Sequence, residues 1–186
     1  MEPDCLYHLF NRGNNSQTIF YTQKNYLFFL KKIRKHLLPH IDILAYCLMP
    51  NHFHFLILTK PNLDSKEASN GLRVMLRSYA RAINKQEKRS GSLFQQHSKI
   101  KDLNEGDDNY AFTCFHYIHQ NPVRAGITDK MEAYEMSSFR DYAGFRNGTL
   151  CNKEQAEKSL DIDIRPDHFI KDSYAVKSES YYDFET

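Results

Sequence analysis

The chain of 186 residues has few cysteines, no tryptophan and no long apolar run. Its four cysteines, Cys5, Cys47, Cys114 and Cys151, are scattered without close pairs, so the sequence suggests neither a disulfide framework nor a paired-thiol zinc ribbon. No apolar stretch approaches the roughly 20 residues that a membrane span needs, and the N-terminus lacks the basic and apolar segments of a secretion signal. We therefore expect a soluble, cytoplasmic protein in a reducing setting.

The composition is that of a folded chain, and its charge is unevenly distributed. A hydrophobic content of 41%, with 26% charged and 13% aromatic residues, indicates one well-cored domain with an appendage. Residues 1–126 carry 17 Lys and Arg against 10 Asp and Glu, whereas residues 127–186 carry 8 against 13. The basic part favours a polyanion-binding domain. The acidic part is expected to do a different job or simply to keep the chain soluble.

Hydrophobic periodicity predicts seven elements in the order β-α-β-β-α-β-α. The strands are expected at 6–10, at 41–48, at 52–58 and from residue 93, and the helices at 26–38, 72–85 and 109–121. Pro122 disfavours helical geometry at Asn121, so the third helix is expected to end there. This order predicts an α+β fold, a ferredoxin-like antiparallel sheet with helices packed on one face.

Two histidines, His52 and His54, lie two positions apart in the third predicted strand. Residues i and i+2 of a strand point to the same face, so the two imidazoles stand side by side while Phe53, Phe55 and Ile57 cover the other face. Buried ring nitrogens need partners, and a divalent cation is one such partner. The pair therefore indicates either the start of a metal site or two hydrogen-bonded core histidines.

The second predicted helix carries four cations spaced four residues apart, namely Arg73, Arg77, Arg81 and Lys85. Side chains at this spacing share a face and repel one another, so the row needs either solvent or an anionic partner. A solvated face is the commoner explanation. However, residues 71–101 hold eight Lys and Arg and a single acid, which favours contact with a phosphate backbone.

The third predicted helix places a phenol and an amide on one face. Tyr117 and Asn121 are four residues apart and therefore lie one turn from each other, so both oxygens could reach one cation. On spacing alone, Tyr117 is equally an ordinary aromatic of an amphipathic helix, and Asn121 a helix-terminating residue. His116 and His119 are expected to turn away from Tyr117 and to serve packing or DNA contact.

These motifs resemble those of the single-tyrosine HUH transposases, and in particular the branch of REP-associated tyrosine transposases. Residues 52–54 resemble the His-hydrophobic-His motif of that family, and residues 117–126 resemble the segment with its nucleophilic tyrosine. Shorter likenesses occur at 8–20, 49–57, 78–84, 91–95 and 137–139. We therefore expect an HUH transposase domain at 1–145, followed by an acidic C-terminal tail at 146–186.

The resemblance implies a metal-dependent single-strand DNA endonuclease and transposase that nicks and rejoins DNA through a 5′-phosphotyrosine. By this analogy Tyr117 is the nucleophile, while His52, His54 and Asn121 hold Mg²⁺ or Mn²⁺. The implied partner is single-stranded or hairpin DNA, and related enzymes include both homodimers and monomers. The expected DNA contacts are Arg12, Asn14, Arg73, Arg77, Arg81, Lys85, His97, Lys99 and Arg124.

The chain departs from the family pattern at two places. His97 stands where relatives usually carry arginine, and Met136 replaces a tryptophan that commonly precedes Ser137. These changes bear on DNA contacts and tail packing, and they leave the implied chemistry intact. Tyr174, Tyr181 and Tyr182 lie beyond the matching segments and are poor candidates for the nucleophile.

Two other functions fit parts of the sequence. A metal-dependent hydrolase would use Cys47, His52 and His54 as a zinc triad, although Cys47 is an odd number of residues from both histidines and on a separate strand. A non-catalytic hairpin-binding protein that retains the transposase fold would recognise DNA through its basic helix. Such a binder has no need of Tyr117 or of the histidine pair.

Overall fold

The central element is a four-stranded antiparallel sheet with the strand order β2-β3-β1-β4. A computed structural model describes residues 1–104 and 109–176. The strands are β1 (Leu6–Arg12), β2 (Ile41–Met49), β3 (His52–Thr59) and β4 (Lys99–Asp102). The helices are α1 (Gln23–His36), α2 (Ser65–Gln86), α3 (Tyr110–Arg124), α4 (Phe139–Tyr142), α5 (Lys153–Leu160) and α6 (Pro166–Ala175). The predicted order of the first seven elements is confirmed.

The strands β2 and β3 form a hairpin, and its register positions the histidine pair. Met49 lies opposite His52 and Cys47 opposite His54, across a two-residue turn. On the other side of β3, β1 pairs Arg12 with His52 and Phe10 with His54. The histidine pair thus lies on a central strand, flanked by partners on both sides.

Helices cover both faces of this sheet, whereas the sequence predicted helices on one face. Phe53, Phe55 and Ile57 pack against α1 and α2. Leu56 and Cys47 belong to a second cluster, which also holds the apolar side chains of α3 to α6. The physical reason is visible in β2, whose residues are almost all buried, because a strand without alternating polar residues needs cover on both sides.

Helix α2 presents the basic row to solvent. Its apolar residues Leu72, Met75, Tyr79 and Ile83 are buried, while Arg73, Arg77, Arg81 and Lys85 are exposed. The Asp64 carboxylate caps the start of this helix by accepting hydrogen bonds from the backbone N–H groups of Lys66 and Glu67. The predicted amphipathic pattern of α2 is therefore confirmed.

Helix α3 extends past Pro122 to Arg124, so the predicted end at Asn121 was wrong. Proline removes one helical hydrogen bond, but here it lies in the last turn, where little further helix depends on that bond. Beyond it, the Ala125 N–H donates to Asn121 O, and the Ile127 N–H donates to Pro122 O, each at 2.9 Å. Tyr117 consequently lies about two turns before the helix end.

The last strand also differs from the prediction, because β4 begins at Lys99 rather than near residue 93. Leu93 and Phe94 are buried in the core beside α1 and α2, and Phe94 forms only an isolated bridge with Gly13. Burial of these apolar side chains explains why they resemble a strand in the sequence. The segment from 91 to 98 instead forms an irregular wall between α2 and β4.

Residues 146–176 pack onto the α3 face of the sheet. They contribute apolar residues to the second cluster, namely Ala156, Leu160, Ile162 and Phe169. Arg146 forms an ion pair with the buried Asp141 carboxylate at 2.6 Å and donates to Tyr46 Oη at 2.9 Å. The division of the chain at residue 145 stays a prediction. In the described part of the chain, no helix is both long and apolar enough to span a membrane.

Candidate functional site

The two histidines of β3 share one face of the strand, as their spacing predicts, and α3 covers this face. His54 is buried with 3% of its surface exposed, and His52 is half-buried at the end of the strand. Their ring centroids lie 5.1 Å apart, and the rings are nearly perpendicular. Two imidazoles at this separation have room to bind one ion between them, since metal–nitrogen distances are about 2 Å.

Hydrogen bonds fix the orientation of both rings through the same nitrogen. His52 Nδ1 lies 2.6 Å from Asn51 Oδ1, and His54 Nδ1 lies 2.9 Å from Nε2 of His8. Because Nδ1 is engaged in each ring, Nε2 is the nitrogen left to face a ligand. Metal-binding histidines commonly show this pattern, with the outer nitrogen held by a protein group.

Tyr117 and Asn121 converge on the histidine pair from α3. The Tyr117 ring lies edge-on to His54 at 5.7 Å between centroids. Asn121 Nδ2 donates to the Tyr117 carbonyl at 3.1 Å, and the Asn121 side chain lies close enough to His52 to influence its pKa. The structure thus brings together all four residues that the family resemblance assigns to the catalytic centre.

Both imidazoles are neutral at physiological pH. Burial lowers the pKa of His52 to about 4, assisted by the charge of Arg12 and opposed by the neighbouring Asn121 side chain. Burial also holds the pKa of His54 well below its usual range, with smaller contributions from His8, His52 and Arg12. A neutral imidazole carries the lone pair that a metal requires. The donors present, two neutral imidazoles and an amide oxygen, therefore fit a divalent cation.

A cavity of about 90 Å³ opens beside the histidine pair. Arg12 and Lys99 line it together with His52 and His54. A groove of about 580 Å³ lies next to it, between α2 and residues 91–98, and is lined by Arg73, Arg77 and His97 among others. Asn11 and Gln95 line both spaces, so the groove and the cavity adjoin each other.

The predicted DNA contacts fall into three groups by position. Arg12 and Lys99 lie at the cavity, and Arg73, Arg77 and His97 at the groove. Arg81 and Lys85 continue the exposed row along α2 beyond the groove. Asn14 is exposed in the turn after β1. The Arg124 guanidinium lies over the Tyr117 ring at 5.4 Å and so places a positive charge beside the phenol.

The two other histidines of α3 are packing residues. His116 and His119 are 2% and 0% exposed. His116 Nδ1 contacts Ser173 Oγ in α6 at 3.0 Å, and His119 Nε2 contacts Ser138 Oγ at 2.7 Å. The prediction that they turn away from Tyr117 is confirmed, and their burial removes the alternative of DNA contact.

Tyr174, another tyrosine that the sequence offered as a candidate, lies away from the site. Tyr174 donates its hydroxyl proton to Glu132 Oε2 at 2.6 Å, away from the histidine pair. Tyr181 and Tyr182 lie outside the described residues. Tyr117 is therefore the tyrosine of the described part that meets the histidine pair.

Cys47 is closer to the histidines than its spacing suggested, yet it is a poor zinc ligand. In a hairpin with a two-residue turn, residues that are an odd number of positions apart pair with each other. Cys47 is therefore the register partner of His54, and the argument from odd spacing was wrong. Burial raises the pKa of the Cys47 thiol well above its usual range, which disfavours the thiolate that zinc needs. Within 1–104 and 109–176, no group of three or more His, Cys, Asp and Glu side chains is arranged to hold a metal ion. The arrangement thus disfavours the zinc triad.

Sequence reasoning missed three residues of this site. His8 and Asn51 orient the imidazoles, and Gln95 joins the groove to the cavity. Asn51 directly precedes the histidine pair, so the sequence was enough to suggest it as a polar partner for His52. The local sequence did not connect His8 or Gln95 with the histidine pair. Only the register of β1 against β3 and the path of residues 91–98 bring them to the site.

Comparisons with known proteins agree with this geometry. The family model described as IS200-like transposase matches residues 2–121, a range that includes the histidine pair, Tyr117 and Asn121. A search of curated proteins finds no significant match. Among solved structures, a REP-associated tyrosine transposase bound to a REP hairpin is similar, with a TM-score of 0.60 and 16% sequence identity. The match covers 77% of this chain and 81% of that one and shows a shared fold.

Proposed function

Because this chain belongs to the IS200-like transposase family, we propose that it cleaves and rejoins single-stranded DNA through a covalent bond to Tyr117. The observation that carries the proposal is the convergence of Tyr117 and Asn121 on the paired imidazoles of His52 and His54. The structurally similar REP-associated transposase is bound to a REP hairpin. By analogy with that complex, we propose hairpin DNA with a flanking single strand as the substrate of this protein.

In the proposed reaction Tyr117 Oη attacks a backbone phosphorus. The bond between phosphorus and the 3′ oxygen breaks, which leaves a 5′-phosphotyrosine and a 3′ hydroxyl. The proton that the phenol loses is balanced by the proton that the 3′ oxygen gains. The number of phosphoester bonds is conserved, so attack by a 3′ hydroxyl reverses the step and rejoins DNA.

The residues around Tyr117 have separate roles in this proposal. His52, His54 and Asn121 would hold Mg²⁺ or Mn²⁺, which supplies Lewis-acid polarisation of the scissile phosphate. Arg124 stabilises negative charge on the phenol oxygen from its position over the ring. Arg12 and Lys99 attract and orient the phosphate at the cavity. Tyr117 is 2% exposed, so binding of DNA requires local movement that opens a path to its hydroxyl.

The groove along α2 gives the DNA a route to the cavity. Arg73 and Arg77 line the groove, Arg12 and Lys99 line the cavity, and the two spaces share Asn11 and Gln95. A continuous cationic path suits a phosphate backbone, whose charge dominates the affinity of such complexes. We propose that the single strand follows this path and presents one phosphodiester to Tyr117.

The proposal is tested with a hairpin oligonucleotide that carries a labelled flanking strand. In Mn²⁺ the wild-type protein should form a covalent adduct that survives denaturing electrophoresis, and Tyr117→Phe should reduce the adduct to background. Tyr110→Phe is the matched control, because Tyr110 lies on the same helix and is also buried. The control should form the adduct at the wild-type rate.

Binding assays on the same variants separate catalysis from recognition. Tyr117→Phe should bind the oligonucleotide as tightly as the wild type, since it loses one oxygen and keeps its ring. An adduct that persists in Tyr117→Phe would contradict the assignment of the nucleophile. Tight hairpin binding without any adduct in the wild-type protein would instead support the non-catalytic alternative.

A further inference from the structure

His8 is a buried imidazole that has no direct part in the proposed reaction. It lies in β1, is 0% exposed, and shares a face of the sheet with Phe10 and His54. Its ring stacks on the His54 ring at 5.0 Å and on the Phe10 ring at 4.6 Å between centroids. Burying a ring with two polar nitrogens is costly, so an apolar residue would suit this depth better unless the nitrogens are used.

The contact between His8 and His54 determines which nitrogen of His54 faces the site. His8 Nε2 lies 2.9 Å from His54 Nδ1. The two nitrogens of an imidazole point to different sides of the ring, so the contact with His8 directs His54 Nε2 away from β1. His54 lines the cavity beside Arg12 and Lys99, and Nε2 is its remaining polar atom.

We propose that His8 accepts a hydrogen bond from His54 Nδ1–H and so keeps a lone pair on His54 Nε2, facing the cavity. A neutral imidazole carries one proton, and a proton held at Nδ1 leaves Nε2 unprotonated. His8 is then a positioning residue that prepares His54 as a metal ligand. This inference rests on the proposed function, in which His54 binds the cation.

The charges around the cavity favour this direction of the hydrogen bond. Arg12 and Lys99 lie on the cavity side of His54, and positive charges stabilise a ring lone pair more than a ring N–H. His8 is fully buried and stacks on the rings of Phe10 and His54, and such surroundings favour the uncharged imidazole. A neutral His8 has the lone pair that accepting the bond requires.

His52 shows the same arrangement with a different partner. Its Nδ1 lies 2.6 Å from Asn51 Oδ1, a carbonyl oxygen that accepts but does not donate. The His52 proton therefore resides on Nδ1, and its lone pair on Nε2. With His8 acting on His54, both imidazoles present the same atom to one centre.

Long-range ¹⁵N–¹H spectra of the metal-free protein test the inference without reference to catalysis. In the wild-type protein the His54 nitrogens should report the Nδ1–H tautomer. His8→Gln keeps an acceptor oxygen near the position of Nε2 and should preserve that tautomer. His8→Phe keeps a buried ring without an acceptor and should yield a mixture. A wild-type His54 in the Nε2–H form would overturn the inference, and that measurement needs no variant to fold.

Mn²⁺ affinity, measured without DNA by calorimetry, gives the second readout. His8→Phe should weaken binding by about 10–100-fold, the usual cost of losing the partner of a ligating histidine, and His8→Gln should recover most of it. His116→Phe is the control, because His116 is equally buried but contacts Ser173 instead. Unchanged affinity in a folded His8→Phe would contradict the positioning role. Failure of the wild type to bind Mn²⁺, with the Nδ1–H tautomer present, would overturn the proposed metal centre and not the hydrogen bond.

Discussion

At the residue scale, the spacing of His52 and His54 was enough to predict that they share a face, because alternation along a strand is a local property. Tyr117 could not be distinguished by spacing from other aromatics of its helix, and the family resemblance alone led us to expect it to be the nucleophile. The partnership of His8 with His54 was beyond prediction. It depends on the register between β1 and β3, two strands that are far apart in the sequence.

Asn121 offers the sharpest test at this scale. Its amide contacts His52 and also donates to the Tyr117 carbonyl. Asn121→Ala should raise the Mn²⁺ concentration needed for half-maximal adduct formation by about tenfold or more, because one oxygen ligand is lost. Hairpin affinity measured without metal should stay at the wild-type value.

Gln120→Ala is the matched control for Asn121→Ala. Gln120 lies next to Asn121 on α3, but its side chain donates to the carbonyls of Ser173 and Val176. It should leave the Mn²⁺ requirement unchanged while lowering thermal stability. An equal shift in both variants would mean that α3 as a whole, and not the amide of Asn121, determines the metal dependence.

At the element scale, the order of strands and helices followed from periodicity, while two boundaries did not. Leu93 and Phe94 resembled the start of a strand because they are apolar, yet they fill the core under the helices and β4 begins later. Pro122 indicated the end of α3, yet the helix closes one further turn around it. Both errors arise because tertiary packing, which the local pattern omits, decides where an element ends.

The basic row of α2 yields a prediction about binding. Arg77→Ala combined with Arg81→Ala should weaken hairpin binding and reduce the slope of log affinity against log salt by roughly 1.4–1.8, since each lost phosphate contact accounts for about 0.7–0.9. The measurement is a salt titration of affinity by fluorescence anisotropy.

Lys31→Ala with Lys35→Ala is the control for the basic row. These two cations are also exposed and four residues apart, but they lie on α1 and do not line the groove. They should alter the slope much less. If the two double variants behaved alike, the row on α2 would be a solvated face rather than a DNA contact.

At the scale of the whole molecule, the sheet is covered on both faces, and the α3 face buries several neutral imidazoles. Burial lowers the pKa of His8 to about 3 and that of His116 to about 4, and holds that of His119 well below its usual range. The charge asymmetry of the sequence anticipated a basic surface. It did not indicate that five histidines would be buried or half-buried on the α3 side of the sheet, namely His8, His52, His54, His116 and His119.

These buried imidazoles make stability depend on pH. Between pH 6.5 and about 4 the unfolded chain takes up protons at these histidines while the folded chain does not, so the free energy of unfolding should fall as the pH falls. Each such histidine contributes up to about 1.4 kcal/mol per pH unit in this window. Urea titrations at several pH values measure the slope.

His116→Gln should reduce that slope, because one buried titrating group is removed. His97→Gln, at an exposed position, is the matched control and should leave it close to the wild-type value. A free energy of unfolding that is constant from pH 6.5 to 4 would contradict the burial of neutral imidazoles in the folded protein.

In the proposed reaction the phenol of Tyr117 reacts beside a cation held by the histidine pair. Its most direct measurement is mass-spectrometric mapping of the protein–DNA adduct after digestion with protease and nuclease. We expect a single modified peptide that carries a 5′-phosphonucleotide on Tyr117, formed with Mn²⁺ and lost in His54→Ala. A nucleotide on a different residue, or an adduct that forms equally well in EDTA, would contradict the claim.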